Sequence, residues 1–453
     1  MNVGFETCGN ATVVCHDGAP ILCTDPWLIG QPYFGSWSHK FKLTQRQMED
    51  ILSCEFVWFS HGHPDHLDPE SLDRFIGRKI LLPAHVGSRI YSALKAQGHN
   101  AIILENDKWK NLSPRIRILC LSDYYQDALL FIDINGTLLI DTNDASPRDW
   151  HGRTRQLASS YKRSFLLKLI SHGDADMMNF LDDSGKRVVP SRIKSVPLGA
   201  KVSAALDSYN AQFYVPFSTA HQYQRADSFW ANDYVIQDFA EMRKGLHVSP
   251  DRVLPANIIY DLERDTIIET KPDMVTVTPL PPERFGDVWS DVLEQPERDA
   301  VCSYFKRIES LRGAIDFVTV RVGGIDTTIE MTDRGFKRGI IFEVPRKSLI
   351  MALSWQIFDD LLIGNFMKTT LVGIKSLYPA FTPFVSRYSD NGLAHSVNEV
   401  RAYMAQYRRR NPLAFLKHEL EMKTTQRLRA RVLANDRLLN GAYRLYKTIK
   451  RAS

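Results

Sequence analysis

Short apolar runs punctuated by turn residues fill the early part of the chain, at 12–15, 21–24, 56–59, 79–82, 102–104, 116–121, 129–134 and 138–141. Runs of this length, bounded by Gly, Pro, Asn and Asp, predict strands. Between them, 43–52 and 86–97 carry apolar residues near helical spacing and predict helices. Asn135-Gly136 predicts a tight hairpin between two of the runs, because both residues tolerate the positive φ of a type I′ turn. Strands interleaved with helices indicate an α/β sandwich.

Beyond about residue 265 the pattern changes. The stretch 276–283 is Pro-rich, which disfavours helix and central strand and reads as a linker or a surface arm. Positions 315–322 and 327–331, joined through Gly323-Gly324, read as a hairpin, 339–344 as a third strand, and 347–362 as one apolar helix ending near Gly364-Asn365. The expected division is therefore 1–265, a linker at 266–300, an α+β module at 301–400 and a tail at 401–453. The module faintly resembles sterol-carrier-type domains; substrate binding, dimerisation and packing against the first unit are all open to it. The tail holds fourteen Lys or Arg against three acidic residues, with Leu413, Leu416, Leu420, Leu428 and Val432 roughly at helical spacing. Such a basic amphipathic segment either packs its apolar stripe on the chain's own core or lies on an anionic membrane surface. No aromatic or Gly-rich motif supports a nucleic-acid partner.

Composition is that of a folded chain. At 453 residues, with 44% hydrophobic and 24% charged, the length suggests two domains and nothing suggests disorder. No leader pattern and no membrane-length apolar run is evident, so a cytoplasmic location, peripheral to the membrane if the tail binds lipid, is expected. Cys8, Cys15, Cys23, Cys54, Cys120 and Cys302 are scattered, without a CxxC pair, and read as reduced core thiols. The paired Cys and His motifs of a Rieske cluster are absent.

The chemistry concentrates in Ser60-His61-Gly62-His63-Pro64-Asp65-His66, which follows the apolar run Phe56-Val57-Trp58-Phe59. Imidazole and carboxylate are the usual ligands of zinc and iron. His61 and His63 point the same way and can grip one ion, while Asp65 and His66, beyond the Pro64 bend, can hold a second beside it. Asp141-Thr142-Asn143-Asp144 closes the run at 138–140, where a carboxylate can bridge two such ions.

These residues resemble the HxHxDH signature of the metallo-β-lactamase superfamily. Gly9-Asn10-Ala11-Thr12 and Ile21-Leu22-Cys23-Thr24-Asp25-Pro26-Trp27 are similar to the opening strands and DPW turn of the branch containing ascorbate-phosphate lactonases, N-acyl phosphatidylethanolamine phospholipase D and CMP-sialic acid hydroxylase. The resemblance covers roughly residues 1–265 and implies an αββα sandwich with the module and tail appended. It implies Asp144 as the bridging ligand, with Asp141 second, and His221 as a late ligand; His172, Tyr223 and Arg225 are then expected at the substrate. The superfamily's hydrolases supply a further His before the bridging Asp, yet none lies between His99 and His151, so Asp123 or Asp127 is expected as an oxygen ligand. An oxygen-richer site favours iron or manganese over zinc.

Two divalent ions, zinc or iron, with Asp65 orienting or deprotonating water, imply a hydrolase of an ester, lactone or phosphodiester acting through a metal-bound hydroxide. The expected substrate is a small or lipid-like anion. A diiron oxygenase akin to the sialic acid hydroxylase, fed by an external electron donor, is the alternative reading; a metal-binding scaffold at a membrane surface is the third.

Overall fold

The period-2 pattern of the early runs sorts side chains onto two faces. Val13, Cys15, Leu130 and Ile132 turn into the space between two sheets, whereas their neighbours Val14, Leu129 and Phe131 turn outward beneath helices. The computed structural model describes residues 1–145, 150–169, 177–188, 197–235, 242–333, 335–378, 380–417 and 419–420.

One sheet has eight strands in the spatial order Thr266–Glu269, Ile258–Asp261, Val3–Cys8, Thr12–Asp17, Pro20–Thr24, Phe56–Trp58, Lys79–Leu82 and Asn100–Ile103. Its last four strands are parallel. The other runs Phe213–Phe217, Arg163–Leu169, Thr137–Asn143, Ala128–Ile134, Ile116–Ser122 and Trp109–Asn111, its first three strands parallel. Helices Gln45–Ser53 and Arg89–Ala96 cover the outside of the first sheet through Ile51 and Leu94; His151–Ser159 and Leu198–Tyr209 cover the second through Leu157 and Leu206. The result is a four-layer αββα sandwich. Its central hairpin turns at Asn135 and Gly136, both at positive φ (47° and 88°). The six cysteines are free thiols.

The C-terminal part builds a third sheet in the order Phe180–Leu181, Lys368–Val372, Gly339–Glu343, Phe317–Val322 and Ile325–Glu330. Helices Gln295–Lys306 and Arg346–Trp355 close its core around Phe305, Phe342, Leu349 and Phe358. Three boundaries differ from the expected ones. Residues 266–269 extend the first sheet, 295–300 already belong to a helix of the C-terminal core, and Phe180–Leu181 crosses from the sandwich to pair with Lys368–Val372. The helix expected over 347–362 breaks at Gln356, whose φ of 56° lies in the left-handed region. A second helix, Phe358–Ile363, leaves in a new direction.

Part of the basic tail docks on its own chain. The helix Val397–Arg410 packs on Tyr124 and Tyr125; Tyr407 Oη accepts the N–H of Val86 (3.1 Å) and Arg410 donates to Ser122 Oγ (2.6 Å) and the Ala84 carbonyl (2.7 Å). Leu413 and Leu420 remain exposed. Residues 421–453, on which most of the membrane-surface expectation falls, lie outside the described residues.

Arg225, expected at the substrate, is instead a buried tie between the two halves. Its Nη1 pairs with Asp287 Oδ2 at 2.7 Å and its Nη2 with Asp227 Oδ2 at 2.8 Å, and Nη1 also donates to the Phe34 carbonyl. Asp287 in turn accepts the N–H (3.0 Å) and hydroxyl (2.5 Å) of Ser348, in the helix Arg346–Trp355. Removing one partner from such a buried pair strands the other charge, so Arg225→Ala is expected to destabilise the protein by about 3–5 kcal/mol in chemical denaturation. A substrate role would instead leave stability unchanged and raise KM.

Candidate metal centre

The parallel strands of both sheets end on the same rim, so the residues following them converge. Asp25 follows Pro20–Thr24, the His-rich turn follows Phe56–Trp58, Asp144 follows Thr137–Asn143, and Ser218 to His221 follow Phe213–Phe217. Loops at the carboxyl ends of parallel strands commonly carry the chemistry of α/β proteins. Asp25, Asn143 and Ser218 all hold positive φ (37°, 43° and 54°), as do Tyr33 and Phe34 (57° and 59°). Non-glycine residues held there carry strain that the surrounding hydrogen bonds must offset.

Asp25 is the hub of those bonds. Its Oδ1 accepts the Ser60 N–H (2.7 Å); its Oδ2 accepts from Ser60 Oγ (2.7 Å) and Asn143 Nδ2 (2.6 Å) and faces His66 Nδ1 at 3.0 Å. A carboxylate on one ring nitrogen orients the other toward a metal. His66 Nε2 accordingly faces the centre, 3.3 Å from Asp65 Oδ2 and 3.6 Å from Asp144 Oδ2. Asp65 is fixed from both sides: Tyr33 Oη donates to Oδ1 (2.5 Å) and Asn10 Nδ2 to Oδ2 (2.9 Å). Asn10 Oδ1 also accepts the Ala220 N–H, tying the turn at Gly9-Asn10 to the loop before His221. Ser218 Oγ donates to Asp144 Oδ1 at 3.0 Å.

His61, His63 and Asp144 offer ligand atoms that all lie within 4.8 Å of one another. His61 Nε2 is 2.8 Å from His63 Nδ1 and 3.8 Å from Asp144 Oδ2. A second group with the same closeness joins His63 to Asp359 and Asp360 of the C-terminal part, with His63 Nε2 3.2 Å from Asp359 Oδ2. The protonation states follow from this crowding. Burial, reinforced by the other two imidazoles, keeps His61 neutral and well below its ordinary value. Burial opposes charge on His63, yet the hydrogen bond and charge of Asp359 raise it to about 9. His66 is raised in the same way by Asp65 and Asp144, and burial raises Asp65 itself.

Asp123, Asp141 and His221 join neither group of converging ligand atoms. Asp123 closes its own turn, its Oδ1 accepting the N–H groups of Tyr125 (2.8 Å) and Asp127 (3.1 Å). Asp141 is buried, and burial together with the charge of Asp25 holds its carboxyl well above the usual range. His221 is buried flat against Trp37, ring centroids 3.4 Å apart, and within electrostatic reach of Asp144; burial pushes it down to about 3. Tyr223 is buried, its hydroxyl accepting from Asn365 Nδ2 at 2.8 Å, which ties it to the C-terminal part. His172 lies outside the described residues. Sequence reasoning passed over Asp25, Tyr33, Asn10, Ser218, Asp359 and Asp360 as site residues. The DPW turn pointed at Asp25, and the first-strand turn at Asn10; nothing near Asp359 marked it.

No family model matches the chain. By sequence it is similar to cytidine monophosphate-N-acetylneuraminic acid hydroxylase, at 27% identity over 138 residues for Asterias rubens and 24% over 158 residues for Danio rerio, covering 28% and 32% of this chain. The two sheets with helices on both outer faces, and the HxHxDH turn on their shared rim, are the layering and motif that the metallo-β-lactamase resemblance implied. The chain has the metallo-β-lactamase fold. It matches only 21% and 27% of the length of those two relatives. Among solved structures it is similar to an isothiocyanate hydrolase from Delia radicum gut bacteria (14% identity, 55% of this chain and 95% of that one, TM-score 0.37) and to a diiron β-hydroxylase from Streptomyces venezuelae (13%, 53% and 49%, 0.34).

Between pH 6.5 and 9 the folded, metal-free protein holds a proton on His63 that the unfolded chain releases. Stability from this group is complete below 6.5 and lost as pH rises through about 9. Urea melts in chelator are expected to show a loss on the order of 3 kcal/mol across that window. Zinc, taking the proton's place, is expected to abolish the loss.

Proposed function

We propose that the chain is a dinuclear metal-dependent hydrolase acting on an ester, lactone or phosphodiester. The observation that carries this reading is the convergence of His61, His63, His66, Asp65 and Asp144 on one point at the sandwich rim. The donor set fits: neutral imidazole with carboxylate oxygen suits zinc, iron or manganese. Bound there, two divalent ions would acidify water and polarise a carbonyl or phosphoryl oxygen.

The chain's own residues supply the rest. His61, His63 and His66 hold the centre, with Asp25 fixing the ring of His66. Asp65, gripped by Tyr33 and Asn10, keeps one orientation, and its burial raises its affinity for a proton, so it serves as the acceptor during attack. His63 and Asp144 retain 18% and 27% side-chain exposure, which gives a small anionic substrate a side from which to enter. No described helix is long and apolar enough to cross a membrane.

One observation favours a second reading, an iron-dependent oxygenase with a separate electron donor. Taken together, the two ligand groups offer three carboxylates, Asp144, Asp359 and Asp360, against two imidazoles, which suits iron, and the sequence relatives are hydroxylases.

Metal analysis of protein purified without added metal, followed by a lactone and phosphodiester panel, separates the two. Two colourless ions with turnover support the hydrolase; iron with a near-ultraviolet band and no turnover shifts the assignment to the oxygenase. His61→Ala and His63→Ala are expected to reduce metal content from two ions per chain to one or none and to abolish turnover, while melting of His61→Ala in chelator stays within a few degrees of wild type. Full metal content in both variants overturns the assignment of the centre.

A further inference from the structure

The short helix Phe358–Ile363 brings two adjacent carboxylates, Asp359 and Asp360, against a turn nearly three hundred positions away in sequence. Both are buried, at 6% and 5% exposure. Asp359 Oδ2 lies 3.2 Å from His63 Nε2, and a ligand atom of each carboxylate lies within 4.8 Å of the other and of His63. Ionised carboxylates pressed together away from water are costly unless a cation answers them.

The described cations do not answer both. His63 Nε2 pairs with Asp359 Oδ2, and Arg89 is the other cation that acts on Asp360. Arg89 is the nearby guanidinium, yet it donates to the backbone carbonyls of Gln356, Asp390 and Trp355. Asp65 adds like charge. The helix itself is held rigidly in place. Ser36 Oγ donates to the Gly364 carbonyl (2.6 Å), and Asn365, bonded to Tyr223 Oη, accepts the N–H groups of Met178 and Asn179. A carboxylate pair so anchored against a metal-binding turn has the placement of ligands.

We propose that Asp359, with Asp360 beside it, is an oxygen ligand delivered to the sandwich's metal centre by the C-terminal part. The C-terminal part is then a component of the centre, and a bound ion shared with His63 ties the two halves together. This rests on the reading that the turn at His61 to His66 binds metal.

The test loads full-length wild type, Asp359→Asn, Asp359→Ala, Asp360→Asn and His61→Ala with zinc and, separately, cobalt(II). Metal per chain is measured by mass spectrometry of the elements, affinity by competition with a chelating dye, and the ligand field by the visible cobalt spectrum. Wild type is expected to bind two ions. Asp359→Asn, which preserves shape and a hydrogen bond to His63, is expected to retain one ion tightly and to bind the second at least about tenfold more weakly, with an altered cobalt spectrum. Asp359→Ala is expected to behave alike, and Asp360→Asn to shift the spectrum with a smaller loss. Should Asp359→Ala precipitate, the soluble Asn variants decide the matter. Two tightly bound ions and an unchanged cobalt spectrum in Asp359→Asn and Asp360→Asn, with loss in His61→Ala, overturn the ligand assignment and leave the centre standing. Wild type without bound metal overturns the centre itself.

Discussion

Five carboxylates, Asp25, Asp65, Asp144, Asp359 and Asp360, crowd three imidazoles at the rim of the sandwich, and most of them are buried. In a medium of low polarity this excess of negative charge is a strong bias toward cations, because neither burial nor mutual repulsion can be relieved by water. Part of the burden is met by protons, held on His63 and His66 well past their ordinary range. Divalent ions answer it more completely, since each brings two charges and accepts the lone pairs of imidazole and carboxylate together.

The same crowding explains why the surrounding backbone is locked. Asp25 accepts from Ser60 and Asn143, Asp65 from Tyr33 and Asn10, and Asp144 from Ser218. These donors come from the ends of strands and the segments that follow them in both sheets, so the centre staples the rim of both. Positive φ at Asp25, Asn143 and Ser218 is the local cost of aiming these groups inward. Arg225 does comparable work away from the centre, joining Asp227 of the sandwich to Asp287 and through it to Ser348.

The fold was largely legible because its signals are local. Alternating runs, the Asn135-Gly136 turn and the helices near 43–52 and 86–97 each depend on a few neighbouring residues. The His-rich turn was legible for the same reason: its donors lie within six positions. Arg225 and Tyr223 were read as substrate contacts because a cation and a phenol near a late His suit an anion, but their partners, Asp287 and Asn365, come from far along the chain. The single helix expected over 347–362 failed at Gln356, where neither Gly nor Pro marks the break and a left-handed residue turns the chain.

By itself, then, the sequence determined the sandwich and the His-rich turn, since strand period, turn chemistry and closely spaced imidazoles are written in short stretches. Only the tertiary structure decided which distant groups complete that turn. Asp359 and Asp360 meet His63 because the Gln356 break swings their helix back onto the rim, a long-range placement that no local pattern encodes.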